Sequence, residues 1–131
     1  MKKNAGFTLI ELVAVMVILA ILAVVAIPQF VDLRVQAADA GADGVGGAIA
    51  SATALNFATG AAGQTATATM TCAAAGTLLV GGVPDGYTVA EGTAPSASGK
   101  EGTCTVIKDD MPAAHTARPF SYVGCANATC S

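Results

Sequence analysis

The apolar and polar positions of the chain fall into three regimes. From Phe7 to Val31, 25 residues carry one charge, Glu11, and the 17 from Leu12 to Pro28 carry none. At ~1.5 Å per residue, 25 helical residues span about 37 Å, enough to cross a hydrocarbon core of about 30 Å. Beyond Asp32, Leu33, Ala37, Ala40, Gly44, Ala48, Ala52 and Leu55 recur at helical spacing, with Asp32, Asp39 and Asp43 elsewhere. This predicts a helix that continues to about Ala58, its small-residue stripe laid on a sheet or beside neighbouring helices. Unbroken from Phe7, such a helix would be about 78 Å long. Gly41, Gly44, Gly46 and Gly47 each weaken it, so a break near Gly46-Gly47 competes with continuity.

From Gly60 the period changes to two. Thr65 to Thr71 alternates cleanly, and Thr77 to Val80, Tyr87 to Ala90, Thr103 to Lys108 and Phe120 to Val123 are further strand candidates. Pro84-Asp85-Gly86 reads as a turn and Pro95 to Gly102 as a polar loop. The expected fold class is α+β: a long N-terminal helix packed on an antiparallel sheet of about four strands, with a disulfide-bonded C-terminal region.

The flanks decide how the apolar segment is used. Lys2 and Lys3 precede it, but the small pair Ala5-Gly6 lies before the apolar run, not after it as in a cleaved secretory signal. A retained membrane helix is the better reading. The basic leader holds the N-terminal end in the cytoplasm. Glu11 is then an anomaly, because a carboxylate in hydrocarbon costs roughly 2–3 kcal/mol even on insertion scales. It either snorkels to the interface or has a partner.

Lys2-Lys3-Asn4-Ala5-Gly6 followed by Phe7-Thr8-Leu9-Ile10-Glu11-Leu12 resembles the processing motif of type IV prepilins and the related pseudopilins, a match covering Gly6 to about Phe30. The resemblance implies that a prepilin peptidase cuts after Gly6 and N-methylates Phe7. It also gives Glu11 a partner, the terminal ammonium of Phe7 on a neighbouring subunit. An α-amino group with a pKa of about 7.7–8 is largely cationic at neutral pH, and pairing neutralises two groups that are costly alone in an apolar filament core. Residues 1–6 are thus expected to be a leader, 7–31 the membrane and filament-core helix, 32–59 its amphipathic continuation and 60–131 the head. Thr8, Leu9 and Ile10 read as packing residues. Pro28 is expected to kink the helix. The chain departs from the usual family pattern at Ala20, where many members have glycine; alanine is about 1 kcal/mol better in a helix. Gly81 to Tyr87 also resembles a stretch of pilins of the mannose-sensitive haemagglutinin type.

Composition narrows the rest. Removing six of 131 residues takes the formal charge from −3 to −5, leaving Arg34, Lys100, Lys108 and Arg118 against nine carboxylates. With no basic patch, nucleic acid is not an expected partner. Cys72, Cys104, Cys125 and Cys130 all follow the membrane segment, where an exported domain would oxidise them. Four cysteines allow three connectivities. We expect Cys72–Cys104, joining two strand-like runs, and Cys125–Cys130, closing a tight C-terminal loop. A zinc site is disfavoured by the absence of CxxC and by a single histidine, His115, which likewise makes a catalytic Cys–His pair a weak reading. Lys108-Asp109-Asp110 as a calcium site and Asn127-Ala128-Thr129 as a glycosylation sequon are both weaker than a solvated turn and a chance match. Phe7, Phe30 and Phe57 on the long helix read as packing residues. No catalytic residue, metal or cofactor is expected.

The leading expectation is a structural subunit, a major pilin forming a type IV pilus on the bacterial surface for adhesion, motility or related functions. Its implied partners are copies of itself, the prepilin peptidase, an inner-membrane platform protein and cytoplasmic assembly ATPases. It would sit in the inner membrane as precursor and in an extracellular pilus after assembly. A type II secretion pseudopilin and a minor pilin acting as a binding tip are the alternatives.

Overall fold

The computed structural model describes residues 6–109 and 117–131, excluding the side chains of Pro28, Gln29 and Val31. The orientation drawn from Lys2 and Lys3 and the roles weighed for Asp110 and His115 therefore lie outside the described residues, while the backbone at Pro28, where a kink is expected, is helical. Two compact units divide the chain, Met1–Arg34 and Val35–Ser131.

Helix α1 runs over Leu9–Ala61, 53 residues, and is helical through Gly46-Gly47, where a break had competed. In the first unit the apolar side chains of the described positions are exposed throughout, from Phe7, just ahead of α1 and 91 % exposed, to Phe30. One window of α1 is long and apolar enough to cross a membrane.

In the second unit, α1 packs on a three-stranded antiparallel sheet of order β1-β2-β3: β1 Tyr87–Glu91, β2 Glu101–Lys108 and β3 Arg118–Val123. The register pairs Glu91 with Cys104 and Cys104 with Phe120. These strands come where alternating β-branched and aromatic residues predict them. Pro84-Asp85-Gly86 turns the chain into β1, with the Tyr87 N–H on the Pro84 carbonyl at 3.2 Å and Gly86 at φ +80°. The core brings together Ile49 of α1, Cys72, Ala75, Cys104 and Tyr122, flanked by Val45, Leu79, Val89 and Phe120.

The helix face on the sheet is not the one the stripe from Leu33 to Leu55 suggests. Ala38, Ala42, Gly46, Ile49, Thr53 and Gly60 are buried, whereas Leu33, Ala37, Ala40, Gly44, Ala48 and Leu55 are exposed and Ala52 is half-buried. Both faces are made of small residues, so periodicity alone could not choose between them. Contacts with the rest of the unit explain the choice. A Cβ on Gly46 would lie 3.1 Å from Phe120, and the Thr53 hydroxyl accepts the Val123 N–H at 3.2 Å.

Two of the five strand candidates are not strands, leaving three where a sheet of about four was expected. Thr65 to Thr69 joins no sheet, and its hydrogen bonds go elsewhere. The Asn56 amide takes both backbone groups of Thr67, accepting its N–H at 2.8 Å and donating to its carbonyl at 2.7 Å. Ala66 and Thr69 donate to the carbonyls of Ala128 and Cys125, a spacing of three that no ladder uses. The stretch Thr77 to Val80 coils instead of extending: Leu78, Leu79 and Gly82 donate three residues back, to Ala75, Gly76 and Leu79. Before it lies a short helix, α2 Cys72–Gly76, whose N-cap Thr71 accepts the Ala74 N–H at 3.2 Å.

Gly60 ends the buried face. A Cβ there would lie 2.5 Å from the Cys130 sulfur and 3.0 Å from its Cβ, neither of which is a flexible chain end. We expect Gly60→Ala to lower stability by about 1–3 kcal/mol through overpacking, despite alanine's better helix propensity. Thermal unfolding of the full chain in detergent micelles tests this; an unchanged midpoint would refute it.

Candidate functional site

The residues singled out at the N-terminus meet at the first turn of α1. Thr8 precedes the helix, and its carbonyl accepts the Leu12 N–H at 3.3 Å. Its hydroxyl accepts the Glu11 N–H at 3.4 Å, while the Glu11 carboxylate reaches back to accept the Thr8 N–H at 2.8 Å and the Thr8 hydroxyl at 2.7 Å. This is a capping box: N-cap Thr8 and Glu11 at the third helical position satisfy each other's backbone donors. The carboxylate also lies at the positive end of the helix dipole. Thr8 is therefore a cap, correcting its reading as a packing residue; the Thr-x-x-Glu spacing was the available signal.

The arrangement provides local polar partners for a charge inside an apolar span. Both bonds from Thr8 fall on one carboxylate oxygen, Oε2. Gly6 and Phe7 are exposed just ahead of the cap.

The four cysteines form Cys72–Cys104 and Cys125–Cys130, spanning 32 and 5 residues. All four are buried. The first bond joins α2 to β2, not strand to strand, because Cys72 opens a helix. In the loop of the second, the side-chain oxygen Oδ1 of Asn127 accepts the Thr129 N–H and hydroxyl, both at 3.1 Å, which occupies the sequon in a local turn. Asp109 accepts the Thr88 hydroxyl at 2.7 Å.

Two polar links had no sequence signal. Arg118, at the start of β3, holds Asp43 of α1 in a two-pronged pair with both contacts at 2.7 Å. The hydrogen bonds from Arg118 keep the Asp43 carboxyl below its usual value, and those same bonds hold the guanidinium above its own. Glu91 of β1 accepts the N–H groups of Cys72 at 3.2 Å and Ala73 at 3.4 Å, giving α2 a second cap. Residues 75 and 19 apart in sequence supply these partners, so no local pattern reveals them.

The Asp43 pair sets an acid dependence. Because the folded carboxyl titrates below its unfolded value of about 3.9, its contribution is fully present above that pH and disappears as pH falls through the lower folded value. Wild type is thus expected to lose more of its thermal midpoint than Asp43→Asn between pH 5 and pH 2. Equal losses would show that the pair contributes nothing, the common result for exposed pairs.

Residues 1–27 match the family model described as the prokaryotic N-terminal methylation motif. No curated protein and no solved structure matches the chain.

Proposed function

Because the chain carries the type IV pilin and pseudopilin signature at its N-terminus, we propose that it is a major pilin, a structural subunit polymerising into a surface filament. In this reading a prepilin peptidase removes residues 1–6 and methylates Phe7. The precursor waits in the inner membrane through the apolar part of α1. Assembly exchanges lipid for neighbouring helices, and Glu11 of each subunit pairs with the Phe7 ammonium of another. Extension needs a membrane platform and a cytoplasmic ATPase.

The observation that carries the proposal is the processing motif joined to a helix that carries no charge from Leu12 to Val31. A supporting one is the exposed small-residue stripe from Ala37 to Ala48, which permits close approach of other helices. Mass spectrometry of the mature protein is expected to find a methylated Phe7 N-terminus. Surface filaments containing this chain as the main component complete the test. A chain cut after residue 20 or later, as an ordinary secretory signal would be, overturns it. The same motif serves pseudopilins; loss of protein secretion on deletion, without loss of filaments, would favour that reading.

A further inference from the structure

The Cys72–Cys104 disulfide faces a competition that the fold itself creates. The segment leading to Cys72 is fastened to the neighbourhood of the wrong cysteine: Thr69 donates its N–H to the carbonyl of Cys125 at 2.8 Å, and Ala66 donates to Ala128, inside the Cys125–Cys130 loop. The Thr69 hydroxyl adds a bond to the Val123 carbonyl at 3.2 Å. Cys72 lies three residues after Thr69, so the chain that carries it is tied to the Cys125–Cys130 loop although its own partner is Cys104. One residue touches both sides of the correct pairing. Glu91 is the register partner of Cys104 across β1 and β2, and its carboxylate accepts the N–H of Cys72 itself and of Ala73. We infer that Glu91 is a positioning residue for disulfide selection: in the reduced chain its carboxylate holds Cys72 over β2, so that Cys72 meets Cys104 before Cys125.

The reasoning is one of effective concentration. Two thiols joined by a flexible chain of about 30 residues meet often, but no more often than other pairs at similar separation. A fixed contact that places one thiol over the strand bearing the other raises the encounter rate of that pair alone. Glu91 can do so before oxidation because its bonds are to backbone N–H groups, which exist whether or not the sulfurs are joined. Each bond then forms by two exchanges. A cysteine thiolate displaces one half of oxidised glutathione, and the second thiolate displaces the glutathione now attached. The two protein thiols lose two electrons and one oxidised glutathione becomes two thiols.

Refolding the reduced full chain in detergent micelles with a glutathione buffer, with trapping by iodoacetamide at successive times, tests this. Trypsin cleavage at Lys100 and Lys108 puts Cys72, Cys104 and the Cys125/Cys130 pair on three separate peptides, so Cys72–Cys104 is read directly, and fragmentation of the C-terminal peptide between Cys125 and Cys130 separates the two mispairings. Glu91 is exposed, so truncating it opens no core cavity. Glu91→Ala is expected to lower the early fraction of Cys72–Cys104 roughly two- to tenfold, the weight of one net hydrogen bond, with Cys72–Cys125 rising in its place. Glu91→Gln keeps an acceptor oxygen and should restore most of the native pairing. Thr71→Ala removes the other cap of α2 and should leave the pairing close to wild type. Native pairing by Glu91→Ala at the wild-type rate overturns the inference. Equal mispairing by Thr71→Ala and Glu91→Ala also overturns it, since helix stability alone would then explain the effect.

Discussion

Glu11→Gln is expected to leave the precursor inserted and processed while surface filaments fall at least tenfold. The two functions of the carboxylate separate in this variant. Glutamine keeps a side-chain oxygen that can accept from the Thr8 N–H and hydroxyl, so the capping box and the start of α1 survive. What it loses is the charge that, in the proposed filament, attracts a neighbour's ammonium. In an apolar assembly that ammonium would be left unpaired, and breaking one partner of a buried pair costs about 3–5 kcal/mol, far more than a factor of ten in an equilibrium. Membrane fractionation and mass spectrometry of the N-terminus report the first half, and electron microscopy of sheared surface fractions reports the second. Filaments at wild-type abundance would refute the pairing. Loss of insertion would instead make Glu11 a determinant of membrane entry.

The largest effect on stability is expected from replacing Cys72 and Cys104 together by alanine. In the chain-entropy account, freeing a loop of 32 residues costs about 3–4 kcal/mol, against about 2 kcal/mol for the five-residue loop closed by Cys125 and Cys130. For a unit of this size such a loss lowers the thermal midpoint by on the order of 20 °C. The first bond also sits in the core, where Cys72 and Cys104 touch the cluster of Ile49, Ala75 and Tyr122, so losing it removes packing as well. Calorimetry on the two double variants in micelles gives the comparison. A larger drop for the Cys125/Cys130 variant would show that loop length is not what governs these bonds here.

Much of this structure was legible because its signals are local. The length of α1 follows from an unbroken apolar run continued at helical spacing, and β1, β2 and β3 follow from short alternating segments between turn residues. The cap had a local signal too, Thr-x-x-Glu, although Thr8 reads as a packing residue from its apolar surroundings. What was hidden depends on distant partners. Thr65 to Thr69 has the composition of a strand, yet an amide on α1 claims Thr67 and the C-terminal loop claims its neighbours. The stretch from Cys72 to Gly76 is helical because Thr71 and a carboxylate 19 residues away cap it. Which side of α1 faces the sheet was hidden for a different reason. Alanine and glycine are frequent on both sides, and contacts from distant residues such as Phe120, Val123 and Cys130 distinguish them.

The Thr8–Glu11 cap carries one last consequence, for the order of events during synthesis. It is closed by residues three apart and needs nothing downstream, so the start of the helix is specified as soon as Glu11 has been translated. Cys72 follows 61 residues later and Cys104 another 32 after that. At ~5–20 residues per second, the first of these intervals alone is about 3–12 s. In the proposed membrane precursor the apolar span through Val31 is thus translated before the first thiol, an order that would let insertion precede oxidation.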